Sequence, residues 1–290
     1  QWVQKLFSPA FLFWGGGLLI YIFQKSDFYA AWNWISSRDM PSQATFLLLG
    51  AFILLVSAKI MEQLRFSFLR LLEGYWVWPF NYLALPLADI QRLLITRERD
   101  AWNKLMDKQE RGLLTASERN ELARLEMNGH YTPSELDDCM PTSLGNVLKA
   151  AESAPLRKYG LDAVICWPRL WLLLPKEVRD VLGGVRQNLD AMVELWAWGL
   201  FFLVWAIWWQ GAILVSSIWM IAAYLLVVQS AKTYADLLES AFDLHRWSLY
   251  ESVRWELPRK SGETEIATGE KLNEFLWRGT SEFPMRYKKN

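Results

Sequence analysis

The sequence predicts an all-α membrane protein with four transmembrane helices in two pairs. A helical cytoplasmic domain lies between the pairs, and a cytoplasmic C-terminal helix follows them. Three observations carry this expectation. Four stretches of the 290-residue chain contain no Asp, Glu, Lys or Arg and are rich in Leu, Ile, Val, Phe and Trp. The basic residues cluster between and after those stretches rather than in the short loops. Tryptophan is heavily over-used, with 18 copies, and concentrates near the apolar stretches.

Composition narrows the class. Hydrophobic residues make up 52% and charged residues 21%, with 31 basic against 31 acidic side chains and a mean hydropathy of +0.05. A disordered chain needs few aromatics and a charge excess. Two cysteines are too few for a disulfide scaffold. A pI near 7.0 does not support a globally basic nucleic-acid binder.

The first transmembrane pair occupies 1–58, with spans at about 6–24 and 41–58. The second pair occupies 195–231, with one span before Gln210 and one after it. Each stretch is close to the ~20 residues a helix needs to cross ~30 Å of hydrocarbon. Gly15, Gly16 and Gly17 sit inside the first span and mark close helix packing. The tryptophans fit an aromatic belt: Trp196, Trp198, Trp208 and Trp209 stand at the two ends of the third span.

Orientation follows from Lys and Arg. The segment 59–186 holds 18 of the 31, and the tail after Gln229 holds 10. By the positive-inside rule, the 59–194 domain and both termini are cytoplasmic in a bacterial inner membrane. No cleavable signal peptide is expected, because the first apolar stretch has no small-x-small exit. The uncharged segment 74–88 reads as interfacial or re-entrant, since Pro79 and Pro86 break a helix interior.

The cytoplasmic region, 59–194, reads as helical almost throughout. Residues 87–109 form a charged amphipathic helix, and Thr115 to Glu118 a capping box opening a second that stops at Asn128–Gly129. The two make a hairpin. Thr132 to Glu135 reads as another box, with Pro133 at the first helical position. Leu144, Val147, Leu148 and Ala151 recur at helical spacing before Pro155. Pro175 opens a helix that runs into the third span, with Gly183–Gly184 able to bend it. The fourth span continues through Tyr234, Leu238, Ala241, His245 and Leu249, and 232–290 forms the C-terminal helix and tail. Two long rods then join membrane and cytoplasm.

Chemistry is sparse. His130 and His245 stand far apart, and Cys139 and Cys166 form no CxxC pair, so no metal or cofactor is expected. No phosphate-cradling loop, nucleophile elbow or HExxH occurs. The chain is not expected to be an enzyme; a membrane lipid enzyme is the residual case. No charge lies deep in a span, against an ion-coupled transporter. Asp190 and Glu194, four apart on one helix face, would form carboxylate rings in a homo-oligomer, and such rings favour cations. Gln210, Ser216, Ser217 and Gln229 complete a candidate ion pathway, although Ala212 and Ser216 also fit a small-xxx-small packing pair.

The densest motif covers 141–182, PTSLGNVLKAAESAPLRKYGLDAVICWPRLWLLLPKEVRDVL. It resembles a block of bacterial membrane proteins with the pattern PTxLGNxLxAAE, then YGLDAVxxWPRL. Some of these look like membrane effectors of anti-phage defence, among them the Hailong-type effector, an oligomeric ion channel controlled by a nucleic-acid-like ligand. Within the block, Asn146, Arg157, Lys158 and Arg169 form a candidate ligand set beside Trp167 and Trp171. Two readings stand. The cations hold a nucleotide or oligonucleotide phosphate while an aromatic stacks a base. Alternatively, Trp167, Leu170 and Trp171 rest on the membrane surface and the cations meet lipid phosphates.

The functional expectation is therefore a homo-oligomeric ion channel or pore in the lipid bilayer, a tetramer as the first estimate, gated by its cytoplasmic domain. Four spans are too few for a single-chain transporter with paired repeats, so a pathway forms between subunits. The alternative is a non-conducting scaffold or sensor that recruits a cytosolic partner protein.

Overall fold

A computed structural model describes residues 9–25, 29, 33, 36–77, 81–258 and 260–279. These residues are helical with no strand among them. In chain order the helices are α1 (Pro9–Lys25), α2 (Met40–Glu73), α3 (Asn81–Glu110), α4 (Ala116–His130), α5 (Ser143–Tyr159), α6 (Ala163–Leu173), α7 (Lys176–Phe202), α8 (Gly211–His245), α9 (Trp247–Ser252) and α10 (Glu263–Arg278). Three are long and apolar enough to cross a membrane: Met40–Glu73, Lys176–Ile207 and Gly211–His245. Helix α1 has 17 residues, about 25 Å at ~1.5 Å per residue, short of a ~30 Å hydrocarbon layer. The first three residues of the expected first span, 6–8, lie outside the described residues.

The chain divides into two compact units. The first contains Gln1–Arg70 and Asn188–Val227. Its core is aromatic. Ala10 and Phe13 of α1, Met61 of α2, Ala197, Trp198 and Phe202 of α7, and Ala212 of α8 are buried together. Phe13 meets Trp198 at 5.2 Å and Trp205 at 5.7 Å between ring centroids. The expected glycine packing is present, because a Cβ on Gly17 would lie 1.8 Å from the Trp205 ring. Trp198 is buried, so it faces this core and does not belong to an aromatic belt. The indole of Trp14 donates to Ser57 Oγ at 3.2 Å, tying α1 to α2.

The second unit contains Leu71–Gln187 and Val228–Asn290. Helices α3 and α4 pack as the expected hairpin. The Thr115 box is complete: its hydroxyl accepts from Glu118 N–H, and the Glu118 carboxylate accepts from Thr115 N–H. That hydrogen bonding and Lys108 hold the Glu118 carboxyl down at about 2. Helix α4 ends one turn-position later than expected, at His130. In the 141–161 block, Thr142 caps α5 by accepting from Gly145 N–H at 2.9 Å and donates to Leu72 C=O at 2.7 Å. Leu144, Val147, Leu148 and Ala151 form the buried face of α5, as their spacing predicts.

Helix α5 closes on Gly160, which adopts a left-handed φ of 68°. Glycine there avoids the Cβ penalty, and a Cβ would also strike Ile266 C=O at 2.1 Å. Opposite it, a Cβ on Gly269 of α10 would lie 2.1 Å from Tyr159 C=O. The two glycines let α5 and α10 meet backbone to backbone. Asn273 completes the junction. Its Nδ2 donates to Gly160 C=O at 2.6 Å, and its Oδ1 accepts from Asp162 N–H at 3.1 Å.

Several expectations are corrected. Residues 132–135 open no α-helix; only a 3-10 turn, Leu136–Asp138, follows them. The Pro133 and Ser134 carbonyls instead accept from the Arg99 guanidinium, which holds that segment extended. Pro86 does not break a helix. It lies in α3 near the N-terminus, where the first N–H groups lack intrahelical partners anyway, so the ring costs one bond to Tyr82 C=O. The 74–88 segment is thus a turn at Gly74 and an extended piece to Val77, then helix from Asn81. Residues 78–80, including Pro79, lie outside the described residues. The second span and the juxtamembrane helix are one helix of 34 residues. Gly183–Gly184 does not break α7, whose helix tightens instead to 3-10 geometry at Leu203–Ile207. Helix α8 stops at His245, and Leu249 belongs to the short α9.

Candidate functional site

In the first unit, the expected carboxylate pair meets a cation that the sequence did not place there. Arg65 of α2 lies 3.5 Å from Asp190 Oδ2 through Nε and 3.3 Å from Glu194 Oε1 through Nη1. One guanidinium serves two carboxylates, leaving the group with a formal charge of −1. Ser216 is fully buried and donates to Gly199 C=O at 2.5 Å. It therefore closes the α7–α8 contact, which is the packing reading of the Ala212–Ser216 pair. Ser217 donates to Ile213 C=O at 2.8 Å, one turn back. Gln210 lies exposed in the turn before α8, where its carbonyl accepts from Ile213 N–H at 3.0 Å. Gln229 is exposed, and its carbonyl accepts from the Thr233 hydroxyl at 3.3 Å. The six residues do not form one polar surface.

In the second unit, the continuation of α8 carries a stripe of charges. Lys232, Asp236, Glu239, Asp243 and Arg246 follow a 4-3-4-3 spacing, which stacks them on one helix face. Two dipeptides meet this stripe, each a basic side chain followed by a tyrosine. At the end of α4, His130 Nε2 lies 3.4 Å from both Asp236 Oδ1 and Glu239 Oε2, and Tyr131 OH donates to Asp236 Oδ2 at 2.9 Å. At the end of α5, Lys158 Nζ lies 2.5 Å from Glu239 Oε1 and 3.4 Å from Asp243 Oδ2, and Tyr159 OH donates to Asp243 Oδ1 at 2.6 Å.

Cation–π contacts extend the pattern at both ends. Lys232 lies over the Tyr131 ring at 4.7 Å, and Arg246 lies over the Tyr159 ring at 4.0 Å. Arg246 also donates from Nε to the buried Glu265 carboxylate at 2.8 Å. Burial and the hydrogen bond to Asp243 push the Tyr159 phenol above its ordinary range, and Asp236 does the same for Tyr131 after burial. Burial opposes the charge on Lys158, but Glu239 and Asp243 together outweigh it and raise the ammonium. These phenols are donors held by carboxylates, an arrangement that fixes helices rather than activating a nucleophile.

The expected ligand set is not brought together. Asn146 is buried; its Oδ1 accepts from Met140 N–H at 2.7 Å and its Nδ2 donates to Gln91 at 3.3 Å. Arg157 pairs with Ser134, Lys158 with the α8 stripe, and Arg169 with the Ile165 and Leu276 carbonyls. Leu170 is fully buried and Trp167 packs on Phe242 at 5.9 Å, so the pair does not lie flat on a membrane surface. Among the described residues, no group of three or more His, Cys, Asp and Glu is placed to hold a metal. Cys139 and Cys166 are buried free thiols, and burial pushes Cys166 up to about 12.

Missing from the sequence reading were Arg65 and the α8 stripe. The stripe had a signal, the 4-3-4-3 charge spacing; Arg65 had none, since it lies 129 residues from Glu194. The chain matches no protein-family model, no curated protein and no solved structure.

Proposed function

We propose that this chain is a homo-oligomeric channel of the bacterial inner membrane whose helical unit holds or releases the long α8 helix. One observation carries the reading. Helix α8 is 35 unbroken residues, roughly 50 Å, apolar over its first half and gripped through a charge stripe over its second. A helix anchored in this way transmits any event that loosens the grip. Surface pairs of this kind contribute ~0.5 kcal/mol each, so the stripe supplies about 2–3 kcal/mol. That is enough to move a two-state equilibrium by one to two orders of magnitude.

In this reading α1 joins the three long helices as a fourth span, both termini are cytoplasmic, and four copies surround the pathway. The resemblance of the 141–182 block supports a role as an anti-phage membrane effector. Single-channel recording of purified protein in planar bilayers tests it. Asp243→Asn, which loosens the grip, should change open probability; a chain that never conducts sinks the reading. A second reading, a non-conducting sensor that recruits a cytosolic protein, draws on a specific observation. Asp190, Glu194 and Ser216 are each satisfied inside one chain. A monomer in detergent with no conductance favours it.

A further inference from the structure

We propose that the cavity between α5, α6, α7 and α8 in the helical unit binds a small aromatic cation, the ligand class that regulates the protein. This rests on the reading that the helical unit controls α8. The cavity measures about 180 Å³. Drug-sized pockets run to ~300–1,000 Å³, so this one takes about one ring and a short substituent. Its walls include Trp167, Tyr234, Leu238, Arg186, Glu73 and Glu152.

The lining selects the charge. Two carboxylates face one guanidinium, which disfavours an anion and favours a cation. Arg186 lies over the Tyr234 ring at 5.5 Å, which leaves Trp167 as the aromatic wall offered to a guest. Indole is the strongest cation–π partner among the side chains. Glu73 is buried at 9% exposure, and a carboxylate in a mostly apolar wall gains most from a charged neighbour that displaces water. Leu238 and Leu148 supply apolar contact for a ring.

Position gives the ligand leverage. Arg186 belongs to α7 and Tyr234 and Leu238 to α8, while Trp167 packs on Phe242 of α8. A guest in the cavity touches both long helices, two residues away from Asp236 in the gripped stripe. Its binding therefore depends on how α8 is held, and by linkage it shifts that hold. The same lining speaks against a phosphate-bearing ligand at this place.

The test uses the full chain in lipid nanodiscs and three isosteric probes: benzamidinium, benzamide and benzoate. Titration calorimetry should show benzamidinium binding at least tenfold tighter than benzamide, with no binding of benzoate. Glu152→Gln, at an exposed position, and Trp167→Phe should each weaken benzamidinium at least fivefold. Glu126→Gln, in the separate cavity of the α3–α4 hairpin, should leave it unchanged. Equal binding of benzoate, or indifference to both cavity variants, overturns the proposal. Cavity-dependent binding to a protein that shows no conductance sinks the channel reading and leaves the cavity assignment standing. Cavity-dependent binding with an unchanged open probability removes its regulatory role.

Discussion

The two halves of α8 are built in opposite senses. In the first half the buried positions are small, Ala212, Ser216, Ala223 and Val227, while Ile213, Leu214, Ile218, Ile221 and Leu225 point outward. In the second half Leu238 and Phe242 point inward with Ala235 and Ala241, and the charges line the surface. One continuous helix thus meets two solvents. In hydrocarbon, outward Leu and Ile lose nothing, and small residues inward let helices approach. In water the hydrophobic effect reverses the choice. The contrast extends to α2, where only 6% of the apolar window is buried.

The largest test of this contrast lies in the second unit. Gly269→Val places a side chain where a Cβ alone would be 2.1 Å from Tyr159 C=O. The unit should lose more than ~4 kcal/mol or fail to fold, read as lost cooperativity in thermal unfolding. A mild effect would mean that α5 and α10 do not meet as closely as described.

A paired substitution sharpens the comparison within one helix. Phe242→Ala in the second half should cost about 3–5 kcal/mol. Ile218→Ala in the first half, at 60% exposure, should cost under ~0.5 kcal/mol in detergent. Chemical denaturation in matched micelles measures both, and similar costs would erase the distinction.

Asp243→Asn removes the charge that accepts from Tyr159 and pairs with Lys158. Because these groups are partly exposed, the loss should be about 1 kcal/mol. The Tyr159 phenol should also titrate lower, checked by ultraviolet titration against the parent chain.

The smallest effect concerns pH. The Glu118 carboxyl sits at about 2 when folded, below its ordinary 4.5. A depressed acid adds stability above 4.5 and loses it as pH falls toward 2. Hydrogen exchange at the first turn of α4 should therefore quicken across that window. Glu118→Gln should flatten the dependence, and an unchanged slope would deny the box any role.

Much of the local structure was legible in the chain. The Thr115 box, the buried face Leu144–Val147–Leu148–Ala151 and the run of α7 into the third span all depend on residues within four positions of one another. The Thr132–Glu135 box was misread for the same reason. Its letters fit a cap, but Arg99, 34 residues away, takes the Pro133 carbonyl. The candidate site fared worse. Asp190, Glu194 and Lys158 were singled out correctly as charged side chains at helix positions, yet their partners were invisible.

The sequence by itself determined where the chain is apolar, where it is helical and where most helices begin, because solvent transfer and capping act on neighbours. Tertiary structure alone decided that Arg65 meets Asp190 and Glu194, that Ser216 closes on Gly199, and that His130 and Lys158 meet one face of α8. Those pairings join residues 17 to 129 positions apart. No local energy selects them; they exist because packed helices bring distant charges within reach, where leaving any of them buried and unpaired would cost more.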